Sequence, residues 1–292
     1  MKVSEALNKG KPTLSFEFFP PKTTEQEEHL FQVIAELKKF NPDYVSVTYG
    51  ALGTAHEKSF FWVKEIKEKF GIEPVAHLTC VAASKEEMSQ RLKKLAEIKV
   101  ENILALRGDP PIGEEKFVPP ADGFRHATDL VSFIKEHNPD FCIGVAGYPE
   151  KHPEAKSLDS DINHLKAKVD AGADYIVTQL FFDNDDYFSF VAKCRSDGIK
   201  VPIIPGLMPI TSVKQLKKMT EICGAKIPGD LMEKLEEADG DKEAVVEVGV
   251  EQTVKQCQEL LKNGAPGLHF FVMNQSGVIS KILEKIKPFP QQ

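Results

Sequence analysis

At 292 residues, with 41% hydrophobic and 28% charged positions, the chain has the make-up of a soluble globular protein able to bury a large core, which excludes global disorder. A formal net charge of -7, with Lys and Arg spread along the sequence, offers no basic surface for a phosphate backbone and argues against nucleic acid as a partner. There is no apolar signal core at the start, no run near the roughly 18 apolar residues of a membrane span, and no CxxC pair among the 5 cysteines, so a cytoplasmic protein with reduced thiols and no zinc site is expected.

Short apolar runs then alternate with longer amphipathic ones. LSFEFF (14–19) is the first strand candidate, and Leu30, Val33, Ile34, Leu37 and Phe40 follow at helical spacing. YVSVTY (44–49) and VAHLTC (75–80) come next, before a capping box of Ser84 and Glu87 that opens a helix through Met88, Leu92 and Leu95. NILALR (102–107), CIGVAGY (142–148), YIVTQLFF (175–182) and VPIIPGL (201–207) continue the series, and Ser212 with Gln215 repeats the helix-start signal. Residues 227–250, rich in Glu and Asp, read as a helical insertion before the last strand, GLHFFVM (267–273). Eight strands alternating with helices favour parallel β-α units closed into a single (β/α)8 TIM barrel, with residues 1–292 forming one domain; a doubly wound open sheet is the competing fold.

The barrel gives one acid a position. SFEFFPPKT (15–23) sets Glu17 among Phe16, Phe18 and Phe19 and stops at Pro20 and Pro21. Alternation along the strand turns Leu14, Phe16 and Phe18 toward the helices and Ser15, Glu17 and Phe19 toward the interior. Glu17 then lies near the carboxyl end, where barrel sites form. Ser46 and Thr48, His77 and Thr79, Arg107 and Asp109, and Gln179 are expected on the same inner face. A half-exposed carboxylate is one reading of Glu17; a functional acid, its pKa raised by a partly apolar pocket, is the other, and the convergence favours it. Taken alone, Asp109 could simply open the Pro110-Pro111 turn, Gln179 could be structural, and His77 or Tyr148 could be core or rim residues.

Seven short motifs in order give a resemblance. SFEFFPP, VSVTYGA (45–51), AHLTC (76–80), ALRGD (105–109), YPEKHPEA (148–155), KVDAGADYIVTQLFF (168–182) and IIPGLMP (203–209) are similar to the pattern of the methylenetetrahydrofolate reductases over nearly the whole chain. The resemblance implies a (β/α)8 barrel that binds FAD, takes hydride from NADH or NADPH and passes it to methylenetetrahydrofolate to give methyltetrahydrofolate. It implies Glu17 as general acid, Asp109 near flavin and pterin, and Gln179 on the pterin edge. It places Thr48, His77, Arg107, Gly108, Tyr148, His152, Asp161 and Lys168 around FAD, with His152 and Lys168 toward phosphates and adenosine and Asp161 toward ribose. No GxGxxG occurs, so FAD is expected along barrel loops rather than in a Rossmann cradle.

Three positions depart from the family pattern. Gln275 follows Met273 and Asn274 where an arginine is usual near the folate tail, Met219 stands where an aromatic is familiar, and His164 replaces an amide side chain near the cofactor. Other readings stay open at this point: a pterin-binding methyltransferase barrel without flavin, a non-catalytic folate-binding subunit, or the same reduction fed by an electron-transfer partner. A homo-oligomer or a complex with such a subunit is expected.

Overall fold

The computed structural model describes residues 1–48, 55–81, 83–109 and 117–286; the end of the VSVTYGA motif and the Pro110-Pro111 turn lie outside the described residues. Eight parallel strands close into a barrel in the order in which they occur along the chain. They are β1 (Thr13–Phe18), β2 (Tyr44–Val47), β3 (Glu73–Thr79), β4 (Asn102–Leu106), β5 (Cys142–Gly147), β6 (Tyr175–Leu180), β7 (Ile203–Leu207) and β8 (Gly267–Phe271).

Helices cover the outside. After a short α1 (Val3–Leu7) come α2 (Thr24–Lys38), α3 (Ala55–Glu65) with a π-helical turn at Ile66–Phe70, α4 (Lys85–Glu97), α5 (Ala127–His137), α6 (Leu158–Asp170) and α7 (Asn184–Ser196). Between β7 and β8 the chain forms three helices, α8 (Val213–Cys223), α9 (Gly229–Glu237) and α10 (Lys242–Lys262), before α11 (Ser276–Lys285) ends the barrel; the acidic stretch supplies α9 and the start of α10. The helices start where polar caps take up free N–H groups: Thr23 accepts from Gln26, Ser84 from Glu87, Ser157 from Ser160 and Asp241 from Glu243 and Ala244.

Two apolar layers fix the strands. Phe16, Phe18, Val45, Val47, Ile103, Val145 and Ile176 face outward and pack with Leu30, Ile34, Ile134 and Leu165 of the helices. A phenylalanine as fully buried as Phe16 contributes roughly 1.5–3 kcal/mol. The lower interior holds Val3, Tyr44, Val75, Leu104, Cys142, Tyr175, Val177 and Ile204, so two tyrosines join the aliphatics there. The α1 segment closes this end, with Val3 N–H donating to Asn102 Oδ1 at 2.7 Å. With the bottom filled, the open space for chemistry is at the carboxyl ends of the strands. Among the described residues no helix is long and apolar enough to cross a membrane.

Candidate active site

The phase of β1 sends its aromatic rings outward and its polar side chains inward. Phe16 and Phe18 sit in the outer layer, whereas Ser15 and Glu17 are buried inside, the latter with 11% of its side chain still exposed. Parallel pairing sets Ser46 of β2 opposite Glu17 on one side and Phe271 of β8 on the other. Ser46 Oγ donates to Glu17 Oε2 at 3.2 Å, and His269 Nε2 lies 3.4 Å from the same oxygen. His77 Nε2 is also 3.4 Å away, and this buried ring nitrogen makes no hydrogen bond among the described residues. All three groups meet Oε2. Oε1 has no protein partner among the described residues.

These neighbours correct the expected charge state of Glu17. Burial is the largest single influence and does raise its pKa, but His77, His269 and Ser46 together carry it below the ordinary carboxylate value. The phenyl rings beside it in sequence are not beside it in space; imidazoles are. Burial also lowers the pKa of His77, and the Glu17 charge only partly opposes this. Ser15 completes the line: its Oγ is 2.9 Å from His269 Nδ1 and 3.3 Å from Leu268 O. An ionised Glu17 Oε2 takes its hydrogen bond from His269 Nε2–H, and Nδ1 of the neutral ring then accepts from the Ser15 hydroxyl.

A second cluster lies along the rim from β4 to α6. Arg107 was expected on the inner face, yet Leu106 holds the inward phase and Arg107 falls beyond the strand end. Its guanidinium instead reaches Glu154 through two bonds of 2.6 and 2.7 Å and lies over the Phe117 ring. Gly108 has φ +85, and a Cβ there would meet Val81 Cγ2 at 2.6 Å, so this turn is open only to glycine. Asp109 is exposed, and its charge acts on Tyr148 and Arg107. The Tyr148 ring packs edge-on against His152, 4.7 Å between centroids, and burial, helped by Asp109 and Asp161, pushes its hydroxyl up to about 12. Asp161 accepts from His152 N–H at 2.8 Å. Lys168 donates to Ala146 O at 2.6 Å, and burial pulls its pKa down to about 8 against the raising effect of Asp161. His164 is exposed on α6 and makes no hydrogen bond or ion pair among the described residues. Thr48 N–H donates to Phe18 O, tying the ends of β1 and β2.

The opposite rim carries the remaining expected positions. Gln179 is half-buried and its Oε1 accepts from Leu180 N–H at 2.9 Å. Met219 and Phe271 pack against the apolar cluster of Leu180, Phe182, Met208 and Ile210. Gln275 is exposed at the start of α11, on a crevice also lined by Pro209, Thr211, Phe271 and Met273. Asn274, not singled out as a site residue, clasps the end of β1: Phe19 N–H donates to its Oδ1 at 2.9 Å and its Nδ2 donates to Phe19 O at 2.8 Å. His269 was likewise missed. It occupies the inward phase of GLHFF, the same alternation that picked out Glu17.

The residues present fit a dinucleotide cofactor without a Rossmann turn. The Lys168 ammonium, half-buried and held below its ordinary pKa by desolvation, suits an anion; among the described residues one oxygen of Asp161 has no partner, and His77 Nε2, which makes no hydrogen bond there, can meet a polar ring edge. Among the described residues no group of His, Cys, Asp or Glu is placed to hold a metal ion.

A closed (β/α)8 barrel with a buried carboxyl, two imidazoles and a half-buried ammonium at the carboxyl ends of its strands belongs with the barrels that carry their sites at that mouth. The family profile described as methylenetetrahydrofolate reductase matches residues 2–287, and the chain belongs to that family. It is 42% identical over 292 residues to "Methylenetetrahydrofolate reductase 1" of Schizosaccharomyces pombe, covering 98% of this chain but only 48% of that protein, so it spans about half that relative's length. It is 39% identical over 267 residues to "5,10-methylenetetrahydrofolate reductase" of Escherichia coli K12, covering 91% of this chain and 88% of the relative. A solved structure from Clostridium thermocellum, described as an uncharacterized protein that binds two copies of 5-methyl-5,6,7,8-tetrahydrofolic acid, superposes with a TM-score of 0.65 over 97% of this chain and 96% of its own; at 18% identity this likeness speaks to the fold.

Proposed function

We propose that the chain reduces methylenetetrahydrofolate to methyltetrahydrofolate, with FAD as its cofactor and NADH or NADPH as the electron donor. Family membership supports the reaction class. The observation that carries the chemistry is Glu17, whose Oε2 is held by Ser46 and His269 while Oε1 stays uncommitted.

The substrate's methylene carbon bridges two nitrogens and resists hydride until one C–N bond opens to an electrophilic iminium. That step needs a proton on the departing nitrogen, and Glu17 Oε1 is the group to give it. The proton lost from Glu17 leaves a carboxylate stabilised by the Ser46 hydroxyl and by His269 Nε2–H, whose ring is held in turn by Ser15. A net depressed pKa in the ligand-free protein is compatible with this role, because a bound substrate removes water and adds to the burial that already favours the acid form. Asp109, exposed at the rim, stabilises positive charge developing on the substrate.

Arg107, Tyr148, His152, Asp161 and Lys168 would hold FAD along the rim, with Thr48, His77 and Gly108 on the ring side. When bound, FAD supplies two-electron chemistry, accepting hydride from the nicotinamide and returning it to the methylene carbon. Gln179, Met219 and Gln275 then line the folate side of the mouth. The test is anaerobic: the purified protein is heated to release flavin for chromatography, and a second sample is mixed with NADH or NADPH and methylenetetrahydrofolate. FAD release and methyltetrahydrofolate as product are expected. A protein that neither carries nor binds FAD, or that forms no methyltetrahydrofolate, overturns the proposal.

A further inference from the structure

β6 is irregular at the point where the site needs it. Val177 pairs with Ile204 and Leu180 with Gly206, so two residues of β6, Thr178 and Gln179, stand opposite the single Pro205 of β7. This is a bulge, which inserts a residue, interrupts the ladder and re-aims the neighbouring side chain. Proline at the facing position has no N–H to lose.

The interruption is repaired by one side chain. Gly206 N–H donates to Thr178 Oγ1 at 2.9 Å, and Thr178 is buried, with 1% exposure. The backbones come so close that a Cβ on Gly206 would lie 2.2 Å from Thr178 O and 2.8 Å from Phe271 Cε2. Glycine and a β-hydroxyl are therefore both required for this geometry. The consequence falls on Gln179: its Oε1 is taken by Leu180 N–H at 2.9 Å, and its Nε2 has no protein partner among the described residues. With the oxygen engaged, the amide is left to act as a donor.

We propose that Thr178 is a positioning residue: through its bond to Gly206 it holds the β6 bulge that presents Gln179 as a donor to an acceptor atom of the folate. The inference rests on the reading of Gln179 as folate-facing. Nothing in Thr178 itself touches ligand. Thr178→Val keeps the volume and removes the hydroxyl that accepts from Gly206 N–H; Thr178→Ser keeps the hydroxyl.

The experiment measures methyltetrahydrofolate affinity by calorimetry on FAD-loaded wild type, Thr178→Val, Thr178→Ser, Gln179→Ala and the Thr178→Val/Gln179→Ala double variant. Loss of about tenfold is expected for Thr178→Val and for Gln179→Ala, while Thr178→Ser stays within about threefold of wild type. The double variant should bind no more weakly than Gln179→Ala alone, because both changes remove one interaction. Wild-type affinity in Thr178→Val, or additive losses in the double variant, overturns the proposal. If Thr178→Val does not fold, Thr178→Ala carries the same expectation. If wild type binds no folate, the functional reading fails by itself, and the crystal structure of Thr178→Val still decides the present point: an unchanged bulge with Gln179 in place refutes the positioning role.

Discussion

Replacing Lys168 by methionine keeps the length and apolar volume of the side chain and removes the charge. In the folded protein burial lowers this lysine from 10.5 to about 8, a penalty on the charged form of roughly 3 kcal/mol. Below pH 8 the lysine is protonated both folded and unfolded, so the folded state carries the whole penalty. Between pH 8 and 10.5 the folded lysine sheds its proton while the unfolded one keeps it, and stability recovers by up to about 1.4 kcal/mol per pH unit. After allowing for the lost bond to Ala146 O, Lys168→Met should be more stable than wild type by about 1–2 kcal/mol at pH 7 without cofactor. That advantage should shrink by roughly 2 kcal/mol by pH 9.5. Urea unfolding of the two apoproteins at pH 7, 8 and 9.5 gives the difference directly. The same variant should bind FAD about tenfold or more weakly at pH 7, since a phosphate would lose a charge-assisted bond. A stability difference that is flat with pH refutes the lowered lysine pKa, and FAD affinity unchanged by the substitution refutes the placing of an anion at this ammonium.

Three further outcomes follow from the site. Gln275→Arg should tighten apparent folate affinity by about tenfold through a bidentate pair with the folate carboxylates, leaving flavin reduction by the nicotinamide unchanged; stopped-flow of each half-reaction checks it, and an effect on flavin reduction alone would put the folate tail elsewhere. Ser15→Ala removes the group that fixes the His269 tautomer, so oxidation of reduced flavin by methylenetetrahydrofolate should slow by about tenfold or more and change its pH profile, while FAD content stays the same. Gln179→Glu replaces the amide donors with an acceptor and should weaken methyltetrahydrofolate binding at least as much as Gln179→Ala, measured by calorimetry.

Much of the fold was legible because each strand is short, apolar and bounded by turn residues. Every expected strand lies within two residues of an observed one, with the largest trimming at the ends of β2, β6, β7 and β8. The inner position of Glu17 was also readable, since it depends only on the two-residue period of β1. Its electrostatic setting was not. Ser46 and His269 lie 29 and 252 residues from Glu17 in sequence, and no local pattern announces that they meet at one oxygen. Arg107 shows the limit of reading phase near a strand end: one residue past Leu106 the alternation stops, and the guanidinium is free to follow Glu154 across the rim. The β6 bulge was hidden for a related reason, because YIVTQLFF looks like an uninterrupted buried strand and only the partner strand reveals the extra residue. Asn274 could have been suspected. An asparagine tolerates the left-handed backbone, and here φ is 53.

The role of Glu17 is tested most directly by separating the two half-reactions in Glu17→Gln. Glutamine preserves the shape of the side chain and its contact with Ser46, but has no proton to give the departing nitrogen. Stopped-flow absorbance should show NADH or NADPH bleaching the bound flavin at close to the wild-type rate, followed by reoxidation with methylenetetrahydrofolate slowed on the order of a hundredfold or more. Reoxidation at the wild-type rate, or equal damage to both half-reactions, would contradict the assignment of Glu17 as the proton donor.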